Sequence, residues 1–119
     1  MLLHDFFIFT DLHTEENIVK ANIKLNAAHP IFKGHFPDQP ILPGVCMMQM
    51  VKEMTEYYLD KKIRLEKAQD LKFLSFVNPD QNKLIQVELK INIDESRIWV
   101  EARLLDNAIV LFKFKGVFI

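Results

Sequence analysis

From Ile85 onward, apolar and polar residues alternate one by one, and that period of two fixes much of what the chain can become. Ile85, Val87, Leu89, Ile91 and Ile93 fall on one side, and Gln86, Glu88, Lys90 and Asn92 on the other. Successive side chains of a β-strand point to opposite faces, so this stretch is expected to be a half-buried strand. Asp94-Glu95-Ser96 leads to a second run, in which Ile98, Val100, Ala102 and Leu104 alternate with Arg97, Trp99, Glu101 and Arg103. Asp106-Asn107 then turns the chain into a third strand through Val110, Phe112 and Phe114. Short polar links between such strands predict an antiparallel meander. Upstream, Val19, Ala21, Ile23 and Leu25 alternate with Lys20, Asn22 and Lys24, after an expected first strand from about Phe6 to Leu12. A further strand is expected near Leu71 to Val77.

One segment resists this pattern. From Pro43 to about Leu59 the residues are mostly good helix formers, and proline is tolerated where a helix begins because its missing N–H has no partner there. Polar residues at 49, 52, 53, 56 and 60 form one helical stripe, expected to face solvent or a partner subunit. Val45 to Val51 is apolar almost all round, as in a helix enclosed by a sheet. The predicted fold class is α+β, with one long helix wrapped by a curved antiparallel sheet.

Directly before the helix, residues 29–45 read HPIFKGHFPDQPILPGV and hold four of the five prolines and two of the three glycines of the chain. Proline fixes φ and glycine opens backbone shapes closed to other residues, so the stretch is expected to be a shaped loop. A rigid loop that presents a histidine points to a site.

Composition narrows the partners. At 119 residues the chain is expected to form a single domain over 1–119, and with 50% hydrophobic and 26% charged residues it belongs with globular proteins. A net charge of −1 gives no general drive toward nucleic acid or a membrane surface. No apolar run approaches membrane-spanning length, and the start MLLHDFFIF lacks a basic region and a small-residue cleavage site. The lone Cys46 cannot form an internal disulfide and fits a reducing compartment, most simply the cytoplasm. His4, His13 and His29 show no zinc-type spacing with Cys46 or each other, and no glycine-rich phosphate loop is present, so neither metal nor cofactor is expected.

Loop and helix together carry a recognisable pattern: Gly34-His35-Phe36-Pro37, then Pro40, then Pro43-Gly44-Val45. It resembles the signature of the 3-hydroxyacyl-(acyl-carrier-protein) dehydratases, whose fold is the hotdog. Lys72-Phe73-Leu74-Ser75-Phe76-Val77-Asn78-Pro79 is more loosely similar to a strand and proline turn of that family. The resemblance implies a reaction that removes water from a 3-hydroxyacyl thioester to give a trans-2-enoyl thioester, in fatty-acid or specialised acyl or polyene synthesis. Such an elimination needs a base for the C2 proton, an acid for the departing hydroxyl and donors for charge on the thioester oxygen. By resemblance His35 is the catalytic base. Gly44, at the helix start, has a backbone N–H free of an intrahelical partner and can serve the thioester carbonyl. Phe36, Pro43, Val45 and Met48 are expected to contact substrate.

At the position where the family places Glu or Asp, five residues after the motif glycine, this chain has Gln49. An amide can donate a hydrogen bond but cannot pass a proton at physiological pH. A general acid contributes roughly 10²–10⁴-fold, so its loss predicts a slow dehydratase rather than none, with His35 carrying both proton transfers. Glu53 lies four residues on, about 6 Å along the helix axis, too far to take the place of Gln49. Asp38 sits in the loop beside prolines, where acids commonly serve turns. Gln49 also has a plainer role as the first member of the polar stripe. Met47, Met48, Met50 and Met54 are read first as core filling, though flexible thioethers would also suit an acyl tunnel.

The family works at least as dimers with a pocket shared between protomers, so the resemblance implies a homodimer or higher oligomer. It also implies an acyl carrier protein or coenzyme A thioester as partner. An acidic carrier would meet basic residues, with Lys33, Lys61, Lys62, Arg64 and Lys67 as candidates. The alternatives are a non-catalytic acyl-binding or scaffold subunit, and less so an acyl thioesterase.

Overall fold

The structure, a computed structural model, describes residues 2–35, 40–82 and 84–119. Six strands, β1 (Phe7–Glu15), β2 (Ile18–Leu25), β3 (Leu65–Phe73), β4 (Ile85–Asp94), β5 (Arg97–Asp106) and β6 (Ile109–Phe118), make one antiparallel sheet. Their spatial order is β1-β2-β4-β5-β6-β3. Among the described residues two helices separate β2 from β3: a short α1 (Ile31–His35) and the long α2 (Gly44–Leu59). This is the hotdog arrangement, a sheet folded about one main helix.

The meander forms as its alternation requires. In β5, Ile98, Val100, Ala102 and Leu104 are buried, and Arg97, Trp99, Glu101 and Arg103 are exposed. In β4 the inward face holds through Ile85, Val87 and Leu89, then fades: Ile91 is half-buried and Ile93 exposed. Cys46, Met47, Met50, Val51 and Met54 of α2 join these strand residues in one core cluster, so core filling is what these three methionines do. Met48 packs against that cluster from its edge.

Four expectations are corrected. The first strand runs past Leu12 to Glu15, because a register shift between Thr10 and His13 absorbs an irregularity that would otherwise end it. Asp11 takes φ 57° there, and Asn22 donates to its carboxylate at 3.0 Å. The strand expected at Leu71 to Val77 is β3, which begins at Leu65 and ends at Phe73. The loop over 29–45 contains α1, and α2 starts at Gly44 with Pro43 as its extended N-cap. Finally, α2 is not enclosed all round: Val45 is 72% exposed, whereas Glu53, assigned to the outward polar stripe, is only 2% exposed.

Candidate active site

The short helix that carries the motif histidine is fixed at its start by another histidine. His29 Nδ1 accepts from the Ile31 N–H at 3.1 Å, so that nitrogen bears no proton and Nε2 donates to Asp5 Oδ2 at 3.1 Å. Phe6 meets the His29 ring edge-on and stacks on Phe32 with centroids 5.2 Å apart. These contacts anchor the start of α1 on the core, where Phe32 is buried. His35 closes α1 at its C-terminal end, while its side chain, like Phe36 and Asp38, lies outside the described residues.

The start of α2 is held by a second set of bonds. Leu42 donates to the Val77 carbonyl at 2.7 Å, and Leu74 and Ser75 donate to the Leu111 carbonyl at 2.9 and 3.2 Å. Residues 41–44 are thereby set against residues 73–76, with an apolar groove of about 610 Å³ between them and Met47 at its floor. Pro43 and Gly44 both line it. Cys46 and Met47 donate to the Pro43 carbonyl, but Gly44 is the first helical residue and its N–H has no intrahelical acceptor. The Phe73 ring rests on Gly44 so closely that a Cβ there would fall 2.6 Å from two ring carbons. That contact is a local reason for glycine. The groove is chemically suited to an acyl chain: apolar walls, one hydroxyl from Ser75, and a helix N-terminus at the end.

The remaining predicted residues are dispersed. Val45 points to solvent, and Met48 is half-buried at the core edge. Gln49 is half-buried and does not line the groove. At about 100° per residue it projects roughly 160° away from Met47 around the helix axis. Its Nε2 donates instead to Glu53 Oε2 at 2.9 Å. Glu53 also accepts from the Leu2 and Leu3 backbone N–H groups, at 2.9 and 2.8 Å. His29 and Glu53 were therefore undervalued by the sequence. The signals were present: a histidine immediately before Pro30, and a Gln/Glu pair four residues apart, the spacing at which helical side chains meet. Lys33, Lys61, Lys62, Arg64 and Lys67 are all exposed. Among the described residues no cluster of three metal-ligating side chains occurs, and no helix is long and apolar enough to cross a membrane.

Comparison with known proteins joins this geometry to a family. A family model described as ApeI-like, ApeI dehydratase, matches residues 11–108. The chain belongs to the ApeI-like dehydratase family. Among curated relatives, this family member is 31% identical over 99 residues to the 3-hydroxyacyl-(acyl-carrier-protein) dehydratase FabZ of Chlamydia muridarum, covering 76% of this chain and 63% of that protein. To FabZ of Chlamydia trachomatis serovar L2 it is 33% identical over 85 residues, covering 71% of this chain and 53% of the relative. The ApeI-like chain thus spans little more than half the length of these relatives. A solved structure titled the dehydratase heterocomplex ApeI:P from Xenorhabdus doucetiae shares the hotdog fold, with TM-score 0.68 and 23% identity over 93% of this chain and 96% of that one.

Proposed function

We propose that residues 1–119 act as a single hotdog domain that dehydrates 3-hydroxyacyl thioesters of an acyl carrier protein to trans-2-enoyl thioesters. The observation that carries this reading is the apolar groove beside Gly44, whose N–H has no intrahelical acceptor, in a chain of the ApeI-like dehydratase family. In the proposed mechanism the acyl chain lies along the groove against Pro43, while Val45 and Met48, which lie outside it, meet substrate only across a subunit boundary, and contact with Phe36 is carried over from the family resemblance. The thioester oxygen accepts from the Gly44 N–H, where the helix dipole favours developing negative charge. His35 removes the C2 proton. Gln49 holds the C3 hydroxyl, and protonated His35 returns the proton to the departing oxygen.

Gln49 projects from the side of α2 away from Met47, which favours a site completed by another subunit. A homodimer supplies one directly. The Xenorhabdus heterocomplex is a precedent for assembly with a different subunit, and the amide at position 49 gives that second reading its own support: a binding subunit that has lost turnover.

The test is interconversion of 3-hydroxyacyl and trans-2-enoyl carrier-protein thioesters by the purified chain. Turnover is expected, abolished by His35→Ala and reduced but measurable in Gln49→Ala. Binding of the acyl carrier without turnover would replace the enzyme with the binding subunit, and absence of both would remove each reading.

A further inference from the structure

Glu53 is the one buried acid among the described residues. Both of its oxygens face donors. The Leu2 N–H reaches Oε1 and Oε2 at 2.9 Å each, the Leu3 N–H reaches Oε1 at 2.8 Å, and Gln49 Nε2 reaches Oε2 at 2.9 Å. A carboxylate surrounded in this way only accepts, so the Gln49 amide can meet it in one orientation, nitrogen inward. The second hydrogen on Nε2 diverges from this bond, and the carbonyl oxygen is the amide's far end. Gln49 is half-buried, so the oxygen end of its amide is the part free to meet a ligand.

We propose that Glu53 is a positioning residue that locks the Gln49 amide with its carbonyl oxygen toward substrate, so that the site selects acyl thioesters bearing a hydrogen-bond donor at C3. This rests on the dehydratase reading and adds a specificity to it. A 3-hydroxyl donates to the oxygen, whereas a 3-oxo group, acceptor only, would oppose lone pair to lone pair. Sites built around one polar partner reject analogues that lack it, because a desolvated group is then left unpaired. The carboxylate customary at this position would be open to either ligand through its protonated form. The locked amide is not.

Two measurements test this on the full chain. In the wild type, ¹⁵N-glutamine spectra, with Gln49→Ala for assignment, are expected to show Gln49 side-chain protons shifted downfield and protected from exchange. Solvent-like exchange would overturn the lock without any ligand being involved. Binding is then compared for carrier protein loaded, through a stable amide linkage, with 3-hydroxyoctanoyl or 3-oxooctanoyl groups. The wild type is expected to prefer the hydroxy form by about tenfold or more. In Glu53→Gln the new amide can donate to the Gln49 oxygen and turn that group round, bringing the ratio toward one. An unchanged ratio in the folded variant, or a uniform weakening of both ligands, would overturn the proposal and leave Glu53 a structural residue. Protected Gln49 protons with neither ligand bound would instead overturn the dehydratase reading and the assigned selectivity, while leaving the lock in place.

Discussion

Gln49 differs from glutamate by the exchange of one nitrogen for oxygen, yet beside Glu53 that exchange changes sign from attraction to repulsion. In Gln49→Glu two carboxylates would stand where an amide now donates at 2.9 Å. Like charges that close share a proton, so one pKa rises above its unfolded value. A raised folded pKa contributes stability that is complete below the unfolded pKa and lost as pH rises through the folded one. The variant is therefore expected to be less stable at pH 8 than at pH 5 relative to wild type, measured by urea denaturation; a pH-independent difference would contradict the contact. Cys46 obeys the same linkage. Burial pushes its thiol above the ordinary range. Its contribution is complete below the ordinary thiol pKa, about 8.5, and is lost as pH climbs toward the raised value. Alkylation by iodoacetamide at pH 8 is expected to be at least tenfold slower in the folded chain than in urea, and equal rates would show the thiol to be accessible.

The elements were legible in the sequence where burial is one-sided. In β5 a buried face and an exposed face make the period of two visible, and β4 and β2 follow suit over their central residues. The strand β3 hid because every one of its side chains is exposed in the single chain, so no face was selected to be apolar. The apolar run Leu71 to Val77 drew the expected strand toward the groove wall instead. Short α1 was masked by the Pro and Gly content that surrounds it, and the Gln49–Glu53 bond by the assumption that charged helix residues face outward. What keeps β3 in place is testable at Gly116 of β6. A Cβ there would fall 2.6 Å from the Lys67 carbonyl oxygen, which is strand backbone and cannot rotate aside. At Gly44 the obstacle is the tip of the half-exposed Phe73 ring, which can swing into the groove. Gly116→Ala is therefore expected to cost about 1–3 kcal/mol in urea denaturation and to speed amide exchange along β3. Gly44→Ala is expected to cost less stability but to narrow the groove. The reverse order would mean that β3 yields more easily than the ring.

At the scale of the whole molecule, the sheet ends at β3, and among the described residues this terminal strand leaves one row of backbone N–H and C=O groups without a strand partner. Leu65, Leu71 and Phe73 on that strand, with Leu74 and Phe76 just beyond it, are between 40% and 77% exposed. Val45, at the start of α2, adds a further exposed apolar side chain. An unpaired edge combined with so much exposed apolar surface is an unstable end state for a lone chain in water and the ordinary mark of an interface. The proposed shared site needs the same thing, since Gln49 and the Met47 side of α2 look in different directions. Both arguments predict assembly to at least a dimer at micromolar concentration, read as native mass by sedimentation equilibrium. Replacing Leu65 and Leu71 together by Asp is expected to shift the mass toward monomer while leaving the far-ultraviolet spectrum of the sheet unchanged, because neither side chain belongs to the core cluster or lines the groove. Turnover should fall with the dimer fraction. A wild-type chain that sediments only as monomer would defeat the composite site and require Gln49 to act outside the groove or not at all.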